Sequence, residues 1–300
     1  MIASLRSALY GSVGKKAKNE TTIAPIPTGL SLFDRALGGG IKAGSVISVL
    51  GTAGSGRSTF GLSLIAEVAR ALPDYDLFLH ETECQYTDLS SYLPDYIASR
   101  IHRVDAYFGG EREGVWRYIS MLRTPFIYVL DSLEGLLAES STTTNNNEAT
   151  SVFDRVRKTK SILVITSTKQ AVEGKPVFVG GYALRFYADY CFSLLNKGER
   201  YKVIRGKRRS VGTNTAIKID NAPGTIHSPT ETPAPIEINY GYSDEGSLFE
   251  FLREVGQINI GKRRGWYEYP MYQAYGPREK IEAVISENKR EILDGLDTFS

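Results

Sequence analysis

The stretch GTAGSGRST, Gly51 to Thr59, stands directly behind the apolar run SVISVL, residues 45–50. The pattern G-x-x-x-x-G-K-[ST] is met at Gly51, Gly56 and Ser58, and Arg57 occupies the lysine position. SVISVL has the character of a buried strand, and STFGLSLIAEVARAL behind the loop has helical apolar spacing. Strand, glycine-rich turn and helix in that order form a phosphate cradle. Backbone N–H groups of the turn and of the helix N-terminus face the anion, and small residues let the backbone approach it. Gly51, Gly54, Ser55, Gly56, Arg57, Ser58 and Thr59 are therefore the expected nucleotide-binding residues, with the Ser58 hydroxyl as a Mg²⁺ ligand. Arginine keeps the positive charge and offers two donors, but its planar head is bulkier than an ammonium. Binding is expected to survive the exchange better than turnover does.

Outward from the loop, further buried-strand patterns occur at DLFLH (76–80), PFIYVLD (125–131) and SILVITS (161–167), separated by helical patterns such as EGVWRYISML. Strands alternating with helices predict a mostly parallel sheet with right-handed crossovers. After Gly181 the pattern changes to ADYCFSLLNKG, RYKVIRG and TAIKID, which predicts an antiparallel extension. STTTNNNEAT (141–150) lacks periodicity and is expected to be a loop, and PREKIEAVISENKREILDGL to be one amphipathic helix. Residues 1–12 read as a helix and 13–27 as a polar arm.

The 300 residues are 42% apolar and 23% charged, ordinary for a globular chain. Two cysteines and three scattered histidines form neither a disulfide framework nor a metal-ligand spacing, which fits a reducing, cytoplasmic setting. Apolar runs such as FIYVL are too short to span a bilayer, and MIASLRSALYGSVGKK lacks a secretory apolar core; no membrane association is expected. The net charge of +2 is unevenly spread. Residues 71–150 carry 13 acidic and 5 basic side chains, whereas 151–210 carry 14 basic and 4 acidic. The second segment favours a polyanion or an acidic neighbouring subunit over a merely solvated strand edge.

IYVLD ends a buried strand in Asp131, the form of the element that orients Mg²⁺ and its waters. LFLHETEC places Glu81 and Glu83 at the carboxyl end of another strand, the edge that lines the ligand crevice of an open α/β sheet. One of the two would polarise a water for attack on the γ-phosphate. The plain alternative for each is a surface acid near a strand end.

Together with PTGLSLFDRALGGGIKAGSVISVLGTAGSGRS (27–58), an ordered set of segments resembles the RecA-type recombinase core: ETE, IYVLDSLEGL, GGYALRFYADYCFSLL, YKVIRGKRRS and GWYEY. The resemblance covers about residues 25–270, and the spacing LPDYDLFLHETE and the ending GWYEY look closest to the bacteriophage (UvsX-like) branch. It implies an α/β, RecA-like P-loop ATPase core over 28–240, an N-terminal oligomerisation helix and arm over 1–27, and a small C-terminal region over 241–300. By position, it implies Glu83 as the water-activating carboxylate and Asp131 as the Mg²⁺-organising one. Arg205 and Lys207 would reach a neighbour's phosphates, and Tyr92 would stack on the adenine. Lys169, Lys175, Phe178, Gly180 and Gly181 would belong to the second DNA-binding loop.

The implied protein is a DNA-dependent ATPase that uses ATP and Mg²⁺, forms a homo-oligomeric helical filament on single-stranded DNA and pairs it with duplex DNA. Single-strand-binding and mediator proteins would be further partners. The sequence departs from the family in four ways: Arg57, the sequence TST (166–168) where a γ-phosphate sensor is expected, two shorter DNA loops, and no long acidic stretch after the last helical pattern. Two alternatives stay open, a ring-forming helicase-like motor and a mediator or structural homologue with weakened turnover.

Overall fold

Ser45–Gly51 is buried at every position and forms β1. A strand buried on both faces belongs inside a parallel sheet covered by helices on either side. The computed structural model describes residues 23–82, 88–104, 112–137, 146–172, 175–178, 187–223 and 231–296. In chain order the other strands of the main sheet are β2 Asp76–Glu81, β3 Ile101–Val104, β4 Phe126–Asp131, β5 Ile162–Val172, β6 Lys175–Phe178, β7 Tyr190–Ile204, β8 Lys207–Asn221, β9 Glu231–Pro233, β10 Ile236–Glu237 and β11 Gly241–Tyr242.

Among the described residues these make an eleven-stranded sheet in the order β11-β10-β8-β7-β1-β5-β4-β2-β3, with β6 on β5 and β9 on β8. Pairing is parallel from β3 across to β7 and antiparallel beyond. The fold is thus the mixed α/β architecture expected, a mostly parallel sheet with an antiparallel extension. Alternate residues serve opposite faces, as a pleat requires. Ile47, Val49, Ile127 and Val129 pack with the helix Arg57–Ala71 through Phe60, Leu64 and Val68. Val46, Tyr128 and Leu130 pack on the other face with Trp116, Ile119, Val152 and Phe153.

Four boundaries differ from the sequence reading. Residues 146–150, expected in a loop, open the helix Asn146–Lys158. Its apolar face begins only at Val152, so the polar first turn carries no periodic signal. Its last turn holds Arg155, Arg157 and Lys158, which complement the helix dipole. β7 merges two expected strands into one fifteen-residue strand, and the irregularity between Asn196 and Glu199 marks the join. β5 runs five residues past Ser167 and folds back as β6, a hairpin over residues expected to be loop. The C-terminal helix is two, Arg278–Glu287 and Lys289–Leu296; between them the backbone and side-chain N–H groups of Asn288 both donate to the Val284 carbonyl.

The last part of the chain adds the helix Asp244–Glu254 and a small sheet, β12 Asn259–Ile260, β13 Trp266–Tyr269 and β14 Ala274–Pro277, around a third apolar cluster. The boundary expected at 240 falls in the β10–β11 turn, so this region enters through the main sheet. It is also tied to the helix Ser31–Ala36. Asp244 accepts from the backbone N–H and the hydroxyl of Ser31, both at 2.7 Å, and Arg35 donates to the Leu293 carbonyl at 2.7 Å. Residues 1–22, including the expected N-terminal helix, lie outside the described residues. Among the described residues no helix is long and apolar enough to cross a membrane.

At this joint Asp34 accepts from the N–H and hydroxyl of Thr28, both at 2.7 Å. Burial, with the nearby Asp244 and Glu67, outweighs those bonds and pushes its carboxyl up to about 6. A carboxyl raised on folding binds its proton more tightly in the folded state, so its contribution is full at low pH and is lost as pH rises through about 6. Asp34→Asn keeps the acceptor for Thr28 and removes the titration. The urea midpoint of this variant, relative to the natural protein, should rise between about pH 4 and pH 6 and level off above that. A constant difference across that range would refute the assignment.

Candidate active site

The parallel strands bring their carboxyl ends to one edge. Across it, Leu194 of β7 pairs with Gly51 of β1, Gly51 with Thr168 of β5, and Asp131 of β4 with Glu81 of β2. In open α/β sheets this edge, where the connections diverge, is the ligand crevice. The phosphate loop occupies its centre.

The loop's shape rests on glycine at two positions. Gly54 has φ 70° and Gly56, the N-cap of the helix Arg57–Ala71, has φ 90°, both in the left-handed region that side chains disfavour. At Gly51 the constraint is space, because a Cβ there would lie 2.2 Å from Ser55 Oγ. The helix starts with no side-chain cap and no acid in its first turn, which leaves its N-terminal dipole for an external anion. Arg57, Ser58 and Thr59 follow, all half-buried. Ser55 differs from expectation in one respect. Among the described residues its hydroxyl, wholly buried against Gly51, has no hydrogen-bond partner, and its backbone N–H donates to the Thr52 carbonyl at 3.2 Å.

Three neighbours brace the loop from the antiparallel side. Asn196 Nδ2 on β7 donates to the Gly54 carbonyl at 3.2 Å, Tyr242 Oη on β11 donates to the Gly56 carbonyl at 3.2 Å, and Ile236 of β10 packs against Gly56. Burial raises the Tyr242 phenol far above its ordinary range, so it stays a donor. Tyr240, in the turn between β10 and β11, is 74% exposed.

On the parallel side a hydrogen-bonded chain runs along the edge. Arg57 Nη1 donates to Thr168 Oγ1 at 2.5 Å. The Thr168 backbone N–H donates to Glu134 Oε1, and Ser167 Oγ donates to the same oxygen at 2.9 Å. Burial alone would raise the Glu134 carboxyl; the Thr168 N–H, the Ser132 and Ser167 hydroxyls and its own backbone N–H more than offset that and hold it below the usual carboxylate range. Asp131, buried at the end of β4, accepts from Thr166 Oγ1 at 2.5 Å, which orients one oxygen and leaves the other for an ion or its waters. The donor set fits a nucleotide with Mg²⁺: bare backbone donors and a cation for phosphate, a hydroxyl and a carboxylate for the metal.

The other expected residues are distributed as follows. Glu81 is buried and ion-paired with Arg103 at 2.8 Å, so its charge is committed to β3. Glu83, Gly180 and Gly181 lie outside the described residues. Tyr92, 47% exposed, follows a single 3₁₀ turn on the β2 side of the sheet. Lys169, Lys175 and Phe178 sit on the β5–β6 hairpin, where Lys169 pairs with Phe178 and Val172 with Lys175.

Arg205 and Lys207 are not near their own loop in sequence register. They form the tip of the β7–β8 hairpin, exposed, with Arg205 at φ 52°. The hairpin touches Gly54 at Asn196, and its tip begins nine residues further along at Arg205, past the irregularity between Asn196 and Glu199, on the order of 25 Å at the usual strand rise. Its shaft is held by the C-terminal region. Arg200, 6% exposed, is ion-paired with Glu237 of β10 at 3.4 Å and Glu282 at 3.8 Å, and Lys202 with Glu279 at 3.4 Å. Arg208 covers the Tyr201 ring at 3.8 Å.

Sequence reasoning missed Thr168 as the partner of Arg57, Glu134 as the anchor of β5, and Asn196, Ile236 and Tyr242 as braces. For Glu134 a signal existed, an acid three residues after Asp131. The other four carried none, since each acts through a contact between elements distant in the chain.

No protein-family model matches this chain. It is similar to Protein RecA of Bifidobacterium longum, with 24% identity over 294 residues covering 90% of this chain and 70% of that protein. Protein RecA of Bacillus subtilis is 26% identical over 306 residues, covering 94% and 84%. Protein RecA of Mycobacterium ulcerans is 26% identical over 296 residues, covering 89% and 80%. Distant homology that extends over most of the chain, on a mixed α/β sheet with its phosphate loop at the carboxyl edge, supports the RecA family for this protein.

Proposed function

We propose that the protein is an ATP-dependent homologous recombination protein that assembles as a filament on single-stranded DNA and promotes pairing and strand exchange with duplex DNA. The observation that carries this reading is the β7–β8 hairpin. It is fixed to its own phosphate loop at Asn196, yet it displays Arg205 and Lys207 on the order of 25 Å beyond, too far for two side chains to return to that loop. A cationic tip held rigidly away from its own site suits the site of a neighbouring protomer. The spacing of the motifs further supports a place in the bacteriophage branch.

In this reading ATP with Mg²⁺ supplies the phosphoryl group whose transfer to water is the only covalent change. The backbone of Gly51–Thr59 and the Arg57 guanidinium hold the phosphates, while Ser58 and Asp131 hold the metal. Glu83 accepts the proton of the attacking water at its carboxylate. Arg205 and Lys207 of the neighbour meet the charge that develops, as an arginine finger does. An exposed aromatic ring, Tyr92 or Tyr240, carries the base. Lys169, Lys175 and Phe178 on the β5–β6 hairpin, with Gly180 and Gly181 following, meet DNA phosphates and bases.

Two experiments test this. Arg205→Ala/Lys207→Ala and Glu83→Gln should each lack DNA-stimulated ATP hydrolysis, and mixing the two proteins should restore part of it. Mixed interfaces then combine an intact carboxylate from one protomer with an intact basic tip from the other. No recovery at any mixing ratio would show that the tip does not act across an interface. Binding to oligothymidine should fall log-linearly with salt concentration, as counterion release demands, and Phe178→Ala should weaken it by about 1–3 kcal/mol if the ring stacks on bases. Salt-independent binding would remove the electrostatic reading.

A further inference from the structure

We propose that Thr168 and Glu134 are positioning residues for Arg57, so that this phosphate loop is built for arginine and would work less well with lysine. The inference rests on the nucleotide-binding reading above. It reverses the expectation, drawn from side-chain shape alone, that arginine merely weakens a lysine site.

Arg57 is the first residue of its helix, and a guanidinium at that place is too large to be left unguided between phosphates. The structure supplies the guide. Thr168 is the register partner of Gly51, so it stands where β1 ends and the loop begins, and its hydroxyl accepts from Arg57 Nη1 at 2.5 Å. A guanidinium has five N–H donors in a fixed plane. The bond to Thr168 pins Nη1 and so restrains that plane, leaving Nη2 and Nε to meet phosphate oxygens together. An ammonium has one charge centre. Bonded to Thr168 it would be drawn away from the phosphates, and centred on them it would leave the hydroxyl unused.

Thr168 is itself held. Its N–H, with the Ser167 hydroxyl, is bonded to Glu134 Oε1, so this stretch of β5 cannot shift without breaking two bonds to a half-buried carboxylate. Among the described residues Glu134 Oε2 is buried with no hydrogen-bond partner. Oε1 thus takes both bonds from β5, and the Ser132 hydroxyl and the residue's own backbone N–H hold the carboxylate as well. The Glu134 carboxylate is bonded to the same residue that accepts from Arg57, and a negative charge that close favours the guanidinium staying in place. This arrangement accounts for the TST sequence. The strand end presents an acceptor for the loop's own cation, where a longer polar side chain would otherwise reach out to phosphate.

The test measures affinity for a Mg²⁺-bound, non-hydrolysable ATP analogue by calorimetry, and urea unfolding of the protein alone. Thr168→Val should weaken analogue binding about tenfold, the size of one hydrogen bond to a charged group. Thr168→Ser, which keeps the hydroxyl, should stay within about twofold of the natural protein. Arg57→Lys should also weaken binding, and adding Thr168→Val to it should change little further, because the partner is already gone. Glu134→Gln should act in the same direction as Thr168→Val by a smaller factor. In urea, the Arg57→Lys and Thr168→Val changes should be non-additive. Natural protein that binds the analogue, with Thr168→Val or the urea cycle showing no coupling, would overturn this inference alone; so would tighter binding by Arg57→Lys. Natural protein that binds no analogue at millimolar concentration would overturn the nucleotide reading as well.

Discussion

The loop Gly51–Thr59 holds itself with a bond from the Ser55 N–H to the Thr52 carbonyl, which alone does not set its curve. The phosphate loop therefore depends on its surroundings for its shape. Left-handed backbone at Gly54 and Gly56 sets the curve, and carbonyls on its outer side are taken by Asn196 and Tyr242. Each brace comes from a different strand of the antiparallel extension, which explains why that extension is packed so closely on the site. On the other side Arg57 ties the loop to β5. The loop is clamped between the two halves of the sheet.

The same extension carries the basic hairpin, and the two duties are mechanically joined. β10 touches the loop through Ile236 and the hairpin shaft through the adjacent Glu237, which pairs with Arg200. Arg200 is buried and paired with half-buried Glu237 and Glu282, and Arg278 is bonded to Glu250 and Glu282 and lies over the Phe249 ring. Buried ion pairs add little net stability once desolvation is counted, but losing one partner is costly. Such a network suits an element whose direction matters more than its contribution to folding. The C-terminal region acts as the buttress that aims the hairpin.

Much of the architecture was legible along the chain. Continuous apolar runs at 45–50, 126–130 and 162–165 announce central strands because a strand buried on both faces needs no polar alternation. The phosphate loop announces itself because its chemistry demands glycine and small residues at fixed spacing. Where the reading missed, the local signal was weak or spread over long distances. The polar first turn of Asn146–Lys158 has no apolar face to display, and the join within β7 at Asn196–Glu199 looks like a turn until its partner strand is seen. Glu81 shows the limit most plainly. As a residue type at a strand end it was equivalent to Glu83, and only the pairing of β2 with β3 reveals that Arg103 holds it.

By itself the sequence determined the strand–loop–helix cradle, the order of strands and helices around it, and the basic segment that follows, because each is written in residues adjacent in the chain. The tertiary structure alone decided what Arg57 does, since Thr168 stands 111 residues away and becomes its partner only when β1 and β5 pair in register. It also decided where Arg205 and Lys207 are displayed, since that depends on a hairpin anchored at one end by Asn196 and along its shaft by Arg200. Local chemistry is set by neighbours in sequence, whereas the orientation of a charge is set by whatever the fold brings within about 3 Å of it.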